Sequence, residues 1–309
     1  MSARRRGSAD YRDIDGIVIL DKGIGLSSNR ALQRLRGIYR ARKAGHCGSL
    51  DPMASGVLPV CLGEATKFSS YLLGADKSYR AHCRLGQVSS TGDAEGEIVR
   101  ERPVNVTLDS INEALVEFTG VIEQVPPMYS ALKHEGKRLY ELAREGREVE
   151  RAARTVEIYS LDMVSFEGGV LVLDVSCSKG TYIRTLAEDI GERLGCGAHL
   201  CALRRTRVDS FDESSAVTLD DLQLERDQHG LAAIDARLLP VASALRHFSE
   251  IHLSEEDCRN IRNGKRLNSD PEAPSGLYRL YAADGEFIGL GELDNNAELK
   301  AKRLMNTAR

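Results

Sequence analysis

Between residues 16 and 208 the chain alternates strand-like and helix-like runs without a regular βα period, and this irregular order narrows the fold more than any other feature. Residues 16–21 (GIVILD) read as a buried strand, followed by a Gly-containing turn at 22–25. Ser27 or Ser28 then caps a helix running through about Tyr39. Residues 44–50 (AGHCGSL) form a Gly-rich loop ending in Asp51-Pro52. Residues 56–62 read as a strand interrupted or begun at Pro59, 65–73 as a short helix, and 77–85 as an alternating strand ended by Gly86. Residues 89–96 are polar and turn-like, and 108–118 are amphipathic and helical. From Gln124 the composition changes. An extended Gln124-Val125-Pro126-Pro127 leads into a charged helical pattern over 133–146, and the whole stretch of about 124–154 reads as an insertion projecting from the main body. Residues 156–164 and 169–176 are strand-like around Glu167-Gly168-Gly169, 181–194 are helical, and 200–208 are a further strand. Long β stretches in irregular order predict an α+β domain built on a mixed or antiparallel sheet, not a doubly wound one.

Around residues 240–248 the chain passes into a small C-terminal unit. Residues 277–282 and 287–293 are apolar strands joined across Ala283-Asp284-Gly285-Glu286, a strong hairpin signal. About sixty residues with such hairpins suffice for a small β-barrel that leans on a larger neighbour. The expected organisation is a large domain over 1–248 and a small one over 249–309.

At 309 residues, 42% hydrophobic and 28% charged, the chain has the make-up of a soluble globular protein with a sizeable core. It contains no apolar run of membrane-spanning length, and the polar start with Arg4, Arg5 and Arg6 is not followed by a signal-length apolar run. Seven scattered cysteines, an odd number without a C-x-x-C pair, fit reduced thiols in the cytoplasm and neither a disulfide framework nor a zinc site. The net charge of −4 argues against a nucleic-acid protein, but binding depends on local patches. Arg30, Arg34, Arg36, Arg40, Arg42 and Lys43 fall within fourteen residues that contain no acid, a local +6. Residues 133–154 hold seven Lys/Arg against five Glu. The second run fits a solvated helix face equally well, whereas the first lacks balancing charge and points to a polyanion.

The stretch richest in chemistry is 45–67, GHCGSLDPMASGVLPVCLGEATK. Gly45, Gly48 and Gly56 bracket an Asp-Pro pair, and glycines let backbone approach a ligand or another chain segment closely. On spacing alone, the favoured reading is that Asp51 caps a helix with Pro52 at its first position. No phosphate-cradling G-x-x-x-x-G-K-[ST], no G-x-S-x-G elbow and no H-E-x-x-H is present, so nucleotide hydrolysis, serine hydrolysis and zinc proteolysis lack a foothold.

This stretch resembles the signature of the bacterial TruB family, the tRNA pseudouridine-55 synthases, in which G-H-x-G-x-L-D-P-x-A-S/T-G-x-L-P-V presents a catalytic aspartate. Companion motifs follow in order: Asp21-Lys22 with Gly25-Leu26-Ser27-Ser28-Asn29; Lys77-Ser78-Tyr79; Gln124 to Ala131 (QVPPMYSA) with Gly136-Lys137-Arg138-Leu139-Tyr140; Gly180 to Leu186 (GTYIRTL); and Leu203-Arg204-Arg205-Thr206. The resemblance implies a pseudouridine synthase catalytic domain followed by a PUA-like RNA-binding barrel. It implies isomerisation of uridine-55 in the tRNA T-loop, with no cofactor and no metal. Asp51 would be the catalytic carboxylate, Arg184 its partner, and Tyr79 the ring that stacks on the flipped base and accepts the C5 proton. His46 would help displace the nucleotide, and Tyr182 and Leu203 would line the uracil pocket. Whether Asp51 attacks the base, attacks C1′ or abstracts a sugar proton is open at this level. Asp209 departs from the family's more usual glycine, and Cys47 stands where threonine is frequent.

The target uridine must be flipped from its stack at a cost of a few kcal/mol, and the basic runs would supply the compensating backbone contacts. The resemblance implies tRNA, gripped at the T-arm, as the partner of a monomer. The long insertion argues for a stand-alone enzyme over the guide-RNA-dependent relatives. The competing class is an RNA-binding or RNA-folding protein in which chemistry is secondary.

Overall fold

The computed structural model describes residues 11–130 and 132–306, so Arg4, Arg5, Arg6 and Ala131 lie outside the described residues. The first strand, β1 (Gly16–Lys22), is buried on both faces: Val18 and Leu20 enter one apolar cluster, Ile17 and Ile19 another. Ser27 caps α1 (Ser28–Tyr39), its hydroxyl accepting from the Arg30 amide. Ala31, Leu32, Leu35, Ile38 and Tyr39 recur at helical spacing and are buried, which leaves the arginines outward. Not all of that basic run is unbalanced, as the sequence suggested: Asp220 lies 3.4 Å from Arg34, and Asp13 lies 3.4 Å from Arg42. Arg30, Arg40 and Lys43 remain exposed.

The expected loop 44–50 begins instead as a short strand, β2 (Ala44–His46), paired with β3 (Ala54–Leu62). No helix follows Asp51, so the capping reading fails. The Asp51 carbonyl accepts from the Ala54 amide at 3.1 Å, closing a tight turn that delivers the chain into β3. Pro59 is tolerated within this strand because of its position on one edge. That edge pairs at Gly56 with Arg205 and at Val60 with His46, and Pro59, between them, needs only its carbonyl, which accepts from the Cys47 amide.

A 3₁₀ turn and α2 (Ser69–Leu73) lead to β4 (Lys77–Leu85). Then come the small hairpin β5 (Gln87–Ser89) and β6 (Ile98–Glu101), α3 (Leu108–Glu117) and β7 (Gly120–Gln124). Within the insertion, the expected helix over 133–146 shrinks to α4 (Leu139–Arg144). Ahead of it, β8 (Lys133–His134) and β9 (Lys137–Arg138) form a two-residue-loop hairpin, with Glu135 and Gly136 at φ 50° and 86°. The long strands β10 (Arg154–Glu167) and β11 (Val170–Cys177) precede α5 (Ile183–Arg193) and β12 (Ala198–Val208). Asp209 has φ 54° in the turn to β13 (Phe211–Asp212), which explains why a glycine suits that position and why aspartate is tolerated there. Helices α6 (Leu219–His229) and α7 (Leu231–Asp235) close the large unit.

The main sheet runs β1-β3-β12-β4-β11-β10-β7. It is mixed: β12 pairs parallel to β3, and its other pairings along this path are antiparallel. On β11, Leu171, Leu173, Val175 and Cys177 alternate into the core while Asp174 faces outward to Arg80. The C-terminal unit holds β14 (Ser249–Leu253), α8 (Glu255–Arg262), β15 (Leu267–Asn268), β16 (Gly276–Ala282), β17 (Phe287–Leu293) and β18 (Glu298–Leu304). Its five strands form one sheet, ordered β14-β16-β17-β18-β15, over a core containing Ile261, Leu280 and Ile288. The unit is fastened to the 3₁₀ turn by Phe68 against Phe287, by Lys67 donating to the Leu304 carbonyl, and by the Asn306 amide donating to Glu64. The α+β architecture expected from the sequence is the one observed.

Candidate active site

The turn after β2, the N-terminal end of α5 and the middle of β4 and β12 meet on one face of the main sheet. The N-terminus of α5 is fixed by a buried amide side chain: Gln124 accepts from the Tyr182 amide at 3.0 Å and donates to the Tyr182 carbonyl at 3.3 Å. That fixes Arg184, two residues on. Its guanidinium, 7% exposed, lies 3.2 Å from an Asp51 carboxylate oxygen and 3.4 Å from Asp93. It also donates to the carbonyls of Thr91 (3.3 Å) and Tyr129 (2.6 Å). Asp93 is almost fully buried and accepts from the Thr91 hydroxyl and the Glu95 amide. Asp51 differs. Its side chain is 43% exposed, so it is the member of this trio that reaches solvent.

The Asp51 carboxyl is held above the ordinary range, chiefly by desolvation among the surrounding protein. Arg184 and Lys22 pull it down and Asp93 pushes it up. Lys22 is fully buried, donating to the Gly23 and Leu26 carbonyls, and burial brings it down to about 8 against the opposing pull of Asp51. Lys77 is likewise brought down to about 8 by burial. A carboxylate whose folded pKa is raised costs stability above that pKa and none below its unfolded value. Asp51→Asn is therefore expected to melt at a higher temperature than the wild type at pH 7, the gap closing as the pH falls through the raised pKa. A lower melting temperature for the variant at pH 7 would contradict this balance.

Tyr79 lies on β4 between Val175 of β11 and Arg205 of β12. Burial raises its phenol, and the adjacent Arg205 guanidinium opposes that rise. Leu203, 9% exposed, sits two residues before Arg205, flanked by Ala54 and Ala81. His46 ends β2; burial and then Arg205 lower its imidazole, and its buried Nδ1 has no hydrogen-bond partner among the described residues. The structure thus brings Asp51 and Arg184 into contact and places Tyr79 and Leu203 on adjacent strands beside them. Tyr182 is tied to this group through Arg184, and His46 through the loop shared with Asp51.

Three participants were not named from the sequence. Asp93 is hidden in a polar turn, where nothing local separates a turn aspartate from a partner of Arg184. Lys22 and Arg205 lie inside the quoted motifs; a cation closing an apolar strand could have raised Lys22, whereas Arg205, between other arginines on its strand, carries no such signal. Arg204 has a different task. It pairs with Asp21 at 2.8 Å and also with Glu213, tying β12 to β1 across β3.

Two solved structures share this architecture over nearly the whole chain. A Cbf5-Nop10-Gar1 complex aligns with TM-score 0.70 at 28% identity, over 91% of this chain and 79% of that one. An H/ACA RNP bound to a substrate RNA containing 2′-deoxyuridine aligns with TM-score 0.71 at 26% identity, over 94% and 84%. The class is that of the pseudouridine synthases, which are isomerases. Residues 36–183 match the TruB family pseudouridylate synthase N-terminal domain. Residues 184–246 match the tRNA pseudouridylate synthase B C-terminal domain, and 249–305 match Pseudouridine synthase II TruB, C-terminal. Proteins named tRNA pseudouridine synthase B are 51% identical in Methylobacillus flagellatus (96% of this chain, 97% of that one) and 48% identical in Mannheimia succiniciproducens (98% of each). The chain belongs to the TruB family. No helix among the described residues is long and apolar enough to cross a membrane.

Proposed function

We propose that this chain isomerises uridine-55 in the T-loop of tRNA to pseudouridine, with Asp51 as the catalytic carboxylate. The observation that carries the reading is the asymmetry of the Asp51–Arg184–Asp93 group: one buried cation holds two carboxylates, and the one that faces out is in the signature loop. The reaction breaks N1–C1′, turns the base and joins C5 to C1′, so every atom is retained and no outside redox or group donor enters. Asp51 acts at the sugar or base, Arg184 keeps it ionised, and Tyr79 stacks on the flipped uracil, a contact worth roughly 1–3 kcal/mol. Tyr182 and Leu203 line the uracil. His46, neutral and with an unpartnered ring nitrogen, meets the displaced nucleotide.

The exposed Arg30, Arg40 and Lys43 and the insertion 124–154 grip the T-arm, and residues 249–309 act as a PUA-like RNA-binding unit. The enzyme works in the cytoplasm as a monomer without a guide RNA; the tRNA named for relatives that match end to end supports this. A second reading, assistance to tRNA folding, is favoured by the same basic face of α1 and would survive loss of Asp51.

The test is tritium release from unmodified tRNA carrying 5-³H-uridine, with a uridine-55→cytidine tRNA as control. Wild type releases tritium from the first substrate only, and Asp51→Asn releases none while retaining tRNA binding. Full activity in Asp51→Asn, or undiminished release from the control tRNA, would sink the proposal.

A further inference from the structure

Arg205 is a large side chain that is only 1% exposed, and among the described residues no carboxylate pairs with it. Buried charges are ordinarily paired, so an unpaired one needs a reason. Its contacts suggest one. Nε donates to the Val57 carbonyl at 2.7 Å and Nη2 to the Gly48 carbonyl at 3.1 Å, so one guanidinium holds both sides of the loop that carries Asp51. Arg205 also stands directly opposite Tyr79 in the antiparallel β12–β4 pairing, which sets the two side chains on the same face of the sheet. Lys22 and Lys77 crowd the same region from β1 and β4, each spending its ammonium on backbone carbonyls. Among the described residues, the charge opposite Tyr79 is thus held by carbonyls and not by a paired carboxylate.

We infer that Arg205 is a positioning residue for the proton-transfer step: it fixes the Asp51 loop and supplies the positive charge that stabilises a phenolate at Tyr79 when Tyr79 accepts the C5 proton. The inference rests on the proposed role of Tyr79 in the isomerisation. Tyr79 first loses its phenolic proton to solvent. After C5 has joined C1′, the C5–H bond breaks, its electron pair forms the C5=C6 double bond as the C6=N1 π pair moves onto N1, and the proton passes to the Tyr79 oxygen. N1 takes up a proton from solvent, so charge and atoms balance. The direction of the Arg205 influence on the phenol agrees, since it opposes the upward push of burial.

Arg205→Met, Arg205→Lys, Tyr79→Phe and the double variant Tyr79→Phe/Arg205→Met are compared in single-turnover reactions on full-length tRNA containing uridine or 5-²H-uridine. Arg205→Met should slow turnover about 10²-fold, the ordinary scale of a lost acid–base contribution. It should enlarge the isotope effect at C5 and leave tRNA affinity near wild type. Arg205→Lys should recover part of the rate. The loss should shrink to the small part owed to the loosened Asp51 loop in the Tyr79→Phe background, because two residues serving one step are not additive. Losses that multiply in the double variant, or an isotope effect unchanged from wild type, would overturn the inference and leave Arg205 a structural clamp. Should Arg205→Met fail to fold, the isotope effect in Arg205→Lys decides alone. Wild type releasing no tritium, or Asp51→Asn remaining fully active, would instead refute the proposed function.

Discussion

Gly56→Ala is expected to be among the most damaging single methyl groups that can be added to this chain. Gly56 has φ 102°, a conformation that an L side chain rarely adopts, and it lies in register with Arg205 in the parallel β3–β12 pairing. A Cβ there would sit 2.2 Å from the Arg205 carbonyl oxygen and 2.9 Å from its amide nitrogen. Both are backbone atoms at the centre of the sheet, so no side-chain rotation can relieve the contact. Backbone strain of about 1–3 kcal/mol adds to overpacking of about 1–3 kcal/mol, against a total stability of roughly 5–15 kcal/mol. Thermal melts should show a drop of roughly 10 °C or more, and whatever protein folds should be poorly active, because Arg205 and Leu203 shift with β12. Gly45→Ala is the control. Its Cβ would meet only the Thr66 methyl at 3.9 Å, and it should melt close to wild type. A Gly56→Ala melting temperature within a degree or two of wild type would show that β3 and β12 can separate without cost.

The glycines thus have a physical reason that the sequence could signal but not specify. Three of them around Asp51-Pro52 announced close approach; what approaches Gly48 and Gly56 is Arg205, some 150 residues away in the chain. Local periodicity located α1 and β4 well, since each buries one face at a fixed spacing. It failed where burial does not set the pattern. In the insertion, charged residues at helical spacing concealed a hairpin whose Glu135-Gly136 turn was written in the sequence. The helix α6 passed unassigned because Leu219 and Leu222 are buried while Leu224 is exposed, so no clean stripe forms, although Thr218 caps it onto the Asp221 amide. Asp51 is the sharpest case. Spacing favoured a helix cap, and the turn into β3 together with Arg184 gives it another task. The ordered motifs were enough to reach that residue; its second carboxylate neighbour, Asp93, was not legible from them.

That neighbour makes Arg184→Met the variant with the largest expected effect on chemistry. The guanidinium is the shared counter-charge of Asp51 and Asp93, and it also ties the Thr91 and Tyr129 carbonyls to α5. Removing it leaves a nearly fully buried Asp93 without its cation, a loss of the kind that costs about 3–5 kcal/mol. It also leaves two carboxylates facing each other. The carboxyl of Asp51, already raised by burial, would lose the strongest influence holding it down and move further up. Single-turnover rates on tRNA should fall by roughly 10²–10³-fold or more at neutral pH, the scale of a lost electrostatic contact in a shielded site. The acid side of the pH–rate profile should shift to higher pH, since the ionised fraction of Asp51 is then lost earlier as the pH falls. Arg184→Lys should keep that limb closer to wild type, because it restores the charge, yet remain slow: three ammonium protons cannot reproduce a planar fork serving two carboxylates and two carbonyls. An acid limb that stays in place in Arg184→Met would mean that Lys22, and not Arg184, sets the ionisation of Asp51.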